Sequence, residues 1–374
     1  MAKVTAGREQ LGDFAPKFAQ LNDDVLFGEV WSREEQLSAR DRSIVTVTAL
    51  MASGVLDSSL AFHIGEAKKN GVTKEEMTVW YEEFKNTDKN RAVYKLIDDI
   101  NNPKNTFCLK KVYYDEGTLL FIYSVMEWFA RNEIKLPKML PSKFNGRFVK
   151  ANNMLFMLCP WVKGEKCNFD NLQHILLSIE NLAKMHNCSR NFKAIEGSLI
   201  KTGFDSLYIS TLKHFNKILS SFNTATKMKH KDKFSSIFLD VFDENIYLAK
   251  EALLVSGSIN DKNLSRSLCH GDYVNKNILI DNTDVWVIDF DKASLNYSMY
   301  DLCYFMRRLL KRSNTNWDID LTRKIIKTYN SIAPLTEDDF KYVFSYLAFP
   351  QKYWRLSKDY YNNIKKCNKS MFVE

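Results

Sequence analysis

Between Leu268 and Asp291 the chain reads LCHGDYVNKNILIDNTDVWVIDFD. It sets an HGD, an asparagine five residues past its aspartate, and an Asp-Phe-Asp in one strand-loop-strand unit. These are the residue types that phosphoryl transfer requires. One carboxylate takes the proton of an attacking hydroxyl, and an amide oxygen with a second carboxylate holds magnesium on the phosphates of ATP. Any one of these aspartates could instead close a turn or cap a helix. The whole set, framed by apolar strands, is hard to assemble by chance.

The elements that must carry this unit follow from periodicity. Arg91–Leu96 and Thr106–Val112 read as strands around the polar stretch 98–105, and residues 116–131 as a helix with Leu119, Leu120, Tyr123, Met126 and Phe129 on its apolar face. Arg147–Lys150 and Met154–Cys159 read as further strands, ended by Pro160-Trp161 and Gly164. This suits a five-stranded lobe with one helix and a short hinge. Helices are expected over Leu172–His186, Gly203–Phe222, Lys233–Val255, Met299–Arg312 and Leu321–Ile332. A capping box at Thr336–Asp339 opens the last ones, whose aromatic run from Phe340 to Tyr361 reads as core.

Composition changes sharply near residue 80. All 17 tyrosines lie at or beyond Tyr81 and all seven cysteines at or beyond Cys108. Residues 1–80 carry 9 basic and 12 acidic side chains, whereas the remainder carries 44 and 33. The basic excess is spread out, and its one short cluster, Lys227–Lys233, reads as a solvated loop, so nucleic acid is not the expected partner. Seven scattered cysteines without a CxxC pair point to a reducing, intracellular setting. There is no apolar run long enough for a membrane span and no signal-peptide core.

The first 80 residues read as helical, with capping boxes at Ser38–Asp41 and Thr73–Glu76 and an apolar face of Ile44, Val45, Val47, Leu50 and Met51. The strings LSARDRSIVTVTALMASG and FHIGEAKKNGVTKEEM resemble the carboxymuconolactone decarboxylase family, which includes AhpD-like peroxidase partners. The resemblance implies an all-helical fold that oligomerises, here in truncated form. His63 matches the family's active-site histidine. The redox branch places two cysteines where Leu56 and Ser59 stand, which excludes thiol chemistry, and Leu60-Ala61-Phe62 offers none of the polar company the decarboxylase branch expects.

The rest of the chain resembles the spore-coat CotS family, a branch of the aminoglycoside phosphotransferase and choline kinase-like superfamily. The resemblance rests on TFCLKKVYYDEGTLLFIYSVMEWFARN, LCPWVKGEKCNF, LCHGDYVNKNILI with VIDFD, and SYLAFPQKYWRLSKDYYNN. It implies an α+β protein kinase-like two-lobed fold after a small all-α carboxymuconolactone decarboxylase-like segment. The expected divisions are 1–80, a small lobe at 81–162 and a helical large lobe at 163–374. It also implies ATP and Mg²⁺ as cofactors, with Asp272 as catalytic base, Asn277 and Asp289 as magnesium ligands, His270 orienting the loop, and Asp301 supporting it from below.

Lys110 is the candidate phosphate-binding lysine, and Lys111 the alternative, which strand alternation points the other way. Its glutamate partner is open between Glu116 and Glu127. The implied acceptor is a small molecule or a coat component, with other coat proteins as partners, and the implied setting is the mother-cell cytoplasm and spore coat. An acidic cluster suited to an aminoglycoside is not evident. No glycine occurs between Gly71 and Gly117, where a nucleotide loop belongs, so a silent scaffold is the second reading and a decarboxylase run by His63 the third.

Overall fold

The computed structural model describes residues 5–30, 32–33, 35–52, 58–73, 93–97, 106–142, 144–151 and 154–362. The chain divides into two compact units, Met1–Phe84 with Tyr94–Phe107, and Lys85–Val93 with Cys108–Glu374. In the first unit, α1 (Ala6–Leu11) and α2 (Pro16–Gln20) lead into a wider π-type segment at Leu21–Val30. Buried Asp23 ties them together by accepting from the backbone N–H groups of Gly7 and Arg8 at 2.8 and 2.9 Å.

Ser38 caps α3 (Ala39–Ala52) by accepting from the Asp41 N–H at 3.1 Å. α4 (Ser58–Lys69) follows, and the unit's small core of Val47, Ala67 and Val72 is flanked by Ile44 and Leu60. This region is helical, as its spacing predicts. Val45, expected on the apolar face, is instead 58% exposed. The second capping box extends to residues 74–76, outside the described residues.

The small-lobe sheet has the order β1-β2-β4-β3, with β1 at Val93–Ile97, β2 at Thr106–Val112, β3 at Val149–Ala151 and β4 at Met154–Pro160. The described residues thus hold four strands where five are expected. In β4, Leu155, Met157 and Cys159 alternate inward, the period of a half-buried strand. Against them lies α5 (Glu116–Arg131). Asp115 caps this helix by accepting from the Thr118 N–H at 2.8 Å, a contact worth about 1 kcal/mol. Leu119, Phe121, Ile122, Val125, Met126 and Phe129 are buried along it, whereas Leu120 and Tyr123, expected on the apolar face, are only half-buried.

The large lobe is built on α6 (Leu172–Asn187), whose buried stripe of Ile175, Ile179, Leu182 and Met185 joins the main core. Two antiparallel pairs carry the motif. β6 (Arg266–Cys269) pairs with β9 (Ser294–Tyr297), and β7 (Ile278–Asp281) forms a hairpin with β8 (Asp284–Val287) and also pairs with β5 (Glu165–Lys166). The hairpin turns at Asn282, whose φ of 56° suits a residue tolerant of left-handed backbone.

α7 (Leu207–Thr226), α8 (Lys233–Asp240), α9 (Phe242–Gly257) and α13 (Gln351–Asn362) enclose a second core of stacked rings. Phe234 stacks on Tyr360 at 4.1 Å and Phe238 on Tyr353 at 4.7 Å. The helix expected over 233–255 is instead two helices, broken at Val241, and the rings of Phe238 and Phe242 meet edge-on across the break at 6.3 Å. α10 (Met299–Leu310), α11 (Ile319–Ile332) and α12 (Glu337–Ala348) complete the lobe, and both halves of the Thr336 capping box are formed.

Candidate active site

β6 delivers His270-Gly271-Asp272 to a loop that closes back over the residues after β8. Gly271 has φ +77°, and a Cβ there would lie 2.3 Å from the Lys292 carbonyl oxygen, so only glycine fits this crossing. Asp301, fully buried in the first turn of α10, clamps the loop. Its two carboxylate oxygens accept from the N–H groups of His270 (2.5 Å) and Gly271 (2.9 Å). The support from below that the sequence reading placed at Asp301 is thus a bidentate carboxylate on two backbone amides.

His270 is buried and fixes the loop's other side. Its Nε2 lies 3.0 Å from the Ile288 carbonyl oxygen, which only accepts, and its Nδ1 accepts from the Asp272 N–H at 3.2 Å. Both contacts require the neutral Nε2–H tautomer. Burial accordingly pushes its pKa below the ordinary histidine value.

Asp272 itself is buried among cations, with Lys292 Nζ at 3.3 Å and Lys276 Nζ at 3.6 Å from Oδ2. The Asn277 amide nitrogen donates to the Asp272 carbonyl at 2.9 Å, which leaves the amide oxygen as the group available to a ligand. Asp289 has left-handed backbone, φ 68° and ψ 65°, a conformation that costs on the order of 1 kcal/mol in a non-glycine residue and gathers at functional sites.

Lys110, on β2, bridges to the far side of this loop. Its Nζ lies 2.7 Å from Asp289 Oδ1 and 2.6 Å from Asp291 Oδ1. Burial works against the ammonium, yet the two carboxylates outweigh it, and the Lys110 pKa is raised. Burial likewise opposes ionisation of Asp289, and Lys110 overcomes it, holding the carboxyl below its usual range. Asp291 also accepts from the Tyr114 hydroxyl at 3.2 Å, and its backbone carbonyl accepts from Lys201 at 3.3 Å.

All four sequence-nominated residues, Lys110, Asp272, Asn277 and Asp289, are described. Asp272 and Asn277 share a hydrogen bond, and Lys110 and Asp289 an ion pair. Among the described residues, neither Glu116 nor Glu127 pairs with Lys110, and the two aspartates take that place. The sequence reading missed Asp291, although it is the second acid of the Asp-Phe-Asp and lies two residues from Asp289. It also missed Lys276, although this stands only four residues after Asp272, and Lys292 and Tyr114, whose contacts cross the loop and leave no spacing signal.

The donor set fits a hard divalent cation. It offers an ionised, 40% exposed carboxylate at Asp289 and an amide oxygen at Asn277, both oxygen ligands of the kind magnesium takes. Beneath the loop, His186, Cys269 and Asp301 bring their ligand atoms within 4.8 Å of one another. Those groups are already engaged, since Asp301 holds the loop and His186 Nδ1 lies 2.6 Å from the Tyr329 hydroxyl. His63 lies half-buried on α4, edge-on to Phe62 at 5.3 Å.

A mixed sheet-and-helix lobe, followed by a helical lobe that carries the HGD loop, is the fold of the kinase-like phosphotransferases. Residues 90–335 match the phosphotransferase enzyme family, and the chain belongs to it. Residues 16–89 match the carboxymuconolactone decarboxylase family.

Among solved structures, the chain is similar to an aminoglycoside phosphotransferase from Alicyclobacillus acidocaldarius, at 19% identity and a TM-score of 0.64 over 76% of this chain and 83% of that one. An amicoumacin kinase in complex with AMP-PNP, Ca²⁺ and Ami aligns at 11% identity and a TM-score of 0.55, over 82% and 92% of the two chains. At these identities the likeness is one of fold. The N-terminal region is 39% identical over 74 residues to a 4-carboxymuconolactone decarboxylase of Acinetobacter baylyi. That match takes in 20% of this chain and 54% of the relative, so the chain spans about half the length of the curated relative it matches.

Proposed function

We propose that the chain transfers the γ-phosphoryl group of ATP to a hydroxyl of a small molecule. Asp272 would accept the proton as the hydroxyl oxygen attacks phosphorus and ADP leaves. Lys110 would meet the nucleotide phosphates. Asn277 and Asp289 would hold Mg²⁺, which when bound supplies charge neutralisation at the phosphates. The observation that carries this reading is the clamp of Asp301 on the HGD backbone, whose His270 is tied in turn to Ile288, the residue before the Lys110-paired Asp289. Finer proposals rest on sequence resemblance alone. They are a division into 1–80, 81–162 and 163–374, a place in the mother-cell cytoplasm and spore coat, coat components as acceptor or partners, and self-association through the N-terminal helices.

The test is release of ADP from ATP with magnesium across a panel of hydroxyl compounds, beside Asp272→Asn. Loss of a positioned base should slow turnover roughly 10²–10⁴-fold. Turnover equal to wild type in Asp272→Asn would overturn the assignment. A silent scaffold is the second reading, favoured by the glycine-free stretch between Gly71 and Gly117. A decarboxylase centred on His63 is the third, and it rests on the match of residues 16–89.

A further inference from the structure

The face of α10 that runs away from Asp272 is basic. Tyr300 and Tyr304 lie parallel on it, with ring centroids 6.5 Å apart, and Arg308 donates to the Tyr304 hydroxyl at 2.9 Å. One residue back, the Arg307 guanidinium sits 3.7 Å over the Tyr346 ring, and its buried Nε has no hydrogen-bond partner among the described residues. Arg308, Lys311 and Arg312 line a hollow of about 300 Å³ together with Asn168 and Asn275. Asn275 belongs to the loop of Asp272, three residues on. A larger hollow of about 530 Å³ between Asn216 and Met228 holds none of these groups.

The cations of this face lack the carboxylates that would normally accompany them. Arg312 pairs with Asp170 at 2.7 Å, but among the described residues Arg307, Arg308, Lys311, Lys352 and Arg355 form no ion pair. Burial, and then Arg308, Arg355, Lys352 and Arg307, together push the Lys311 pKa down, so like charges crowd one another here. Compensation of the helix dipole accounts for cations at the end of α10. It fails for Lys352, which stands in the first turn of α13, where a cation is unfavourable. Mutually repelling cations beside the loop of Asn275, with the buried Nη1 of the hollow-lining Arg312 unmatched among the described residues, are arranged for a negative ligand.

We infer that this basic face recognises the acceptor, and that the acceptor is a small hydroxyl compound bearing an anionic group, phosphate or carboxylate. The inference rests on the phosphotransferase reading, since it places the anion's hydroxyl towards Asp272. A cationic acceptor of the aminoglycoside kind would meet repulsion from Arg308, Lys311 and Arg312, the charged side chains that line the hollow.

The test is equilibrium binding to the full chain without nucleotide, by calorimetry, using inorganic phosphate, gluconate and kanamycin as separate probes. Phosphate, gluconate or both should bind, and the one that binds names the anion. Arg308→Gln/Lys311→Gln should weaken that binding roughly tenfold or more, as loss of charge-assisted hydrogen bonds implies. Arg308→Lys/Lys311→Arg, which keeps the charge, should retain it, and added salt should weaken it.

No anion binding by wild type at about 10 mM, kanamycin binding tighter than either anion, or undiminished binding in the glutamine variant with its melting transition intact would each overturn the inference. Because no ATP is present, a catalytically silent chain would still bind the anion. Failure of turnover and failure of recognition are therefore separate results.

Discussion

Replacing Lys110 with methionine keeps the length of the stem and removes its charge. The two carboxylates then fare differently. Asp291, with a side chain only 6% exposed, loses an ammonium at 2.6 Å and keeps the Tyr114 hydroxyl at 3.2 Å. Asp289, 40% exposed, is rehydrated, so its share of the pairing is discounted heavily. Deleting one partner of a buried pair costs about 3–5 kcal/mol, and the surviving Tyr114 bond puts Lys110→Met near the lower end, about 3 kcal/mol.

Asp291→Asn in the same background removes the orphaned charge. The double variant should therefore be more stable than the sum of the two single losses, by roughly 1–3 kcal/mol. Urea unfolding followed by tryptophan fluorescence reads all four corners of the cycle. Single losses that add to within about 0.5 kcal/mol would mean the pair is not coupled, and would refute this account of the Lys110 site.

Three further outcomes are expected. Gly271→Ala drives a Cβ into the Lys292 carbonyl from a left-handed backbone, so turnover should fall with the melting temperature. Wild-type turnover in that variant would show the loop crossing to be looser than described. Asp301→Asn replaces one acceptor of the clamp with a donor facing a backbone N–H, at a cost of about 3 kcal/mol, and an unchanged urea midpoint would contradict it.

For His270, a depressed pKa means that the folded chain binds the proton less readily than the unfolded one. Its stabilising contribution is therefore full above about pH 6.5 and is lost as pH falls through the folded-state value. His270→Gln should flatten that acid-side decline of the urea midpoint. An unchanged slope would remove the neutral imidazole from the account.

The fold was legible where one residue type leaves one option. Thr106–Val112 and Glu116–Arg131 are read to the residue, the first from a run of strand-forming residues beside a polar turn and the second from helical apolar spacing. The break at Val241 was not legible, since the residues around it are acceptable inside a helix. Asp301 was named through the family resemblance carried by Tyr300-Asp-Leu-Cys. Asp291 was not legible because its tie to Lys110 joins positions 181 residues apart, and Lys292 because its tie to Asp272 runs across the loop crossing at Gly271. The cations of α10 and α13 lie about forty residues apart in the chain, so no local pattern announces that Arg355 and Lys352 act on Lys311.

The central claim is that Asp289 and its neighbours hold magnesium on ATP. A titration of the full chain with magnesium-ATP, read by thermal shift beside Asp289→Asn, tests it most directly. Wild type should melt at rising temperature as nucleotide increases, because the ligand binds only the folded state, and the rise should require magnesium and vanish in Asp289→Asn. No shift at millimolar magnesium-ATP, or an equal shift in Asp289→Asn, would contradict the account.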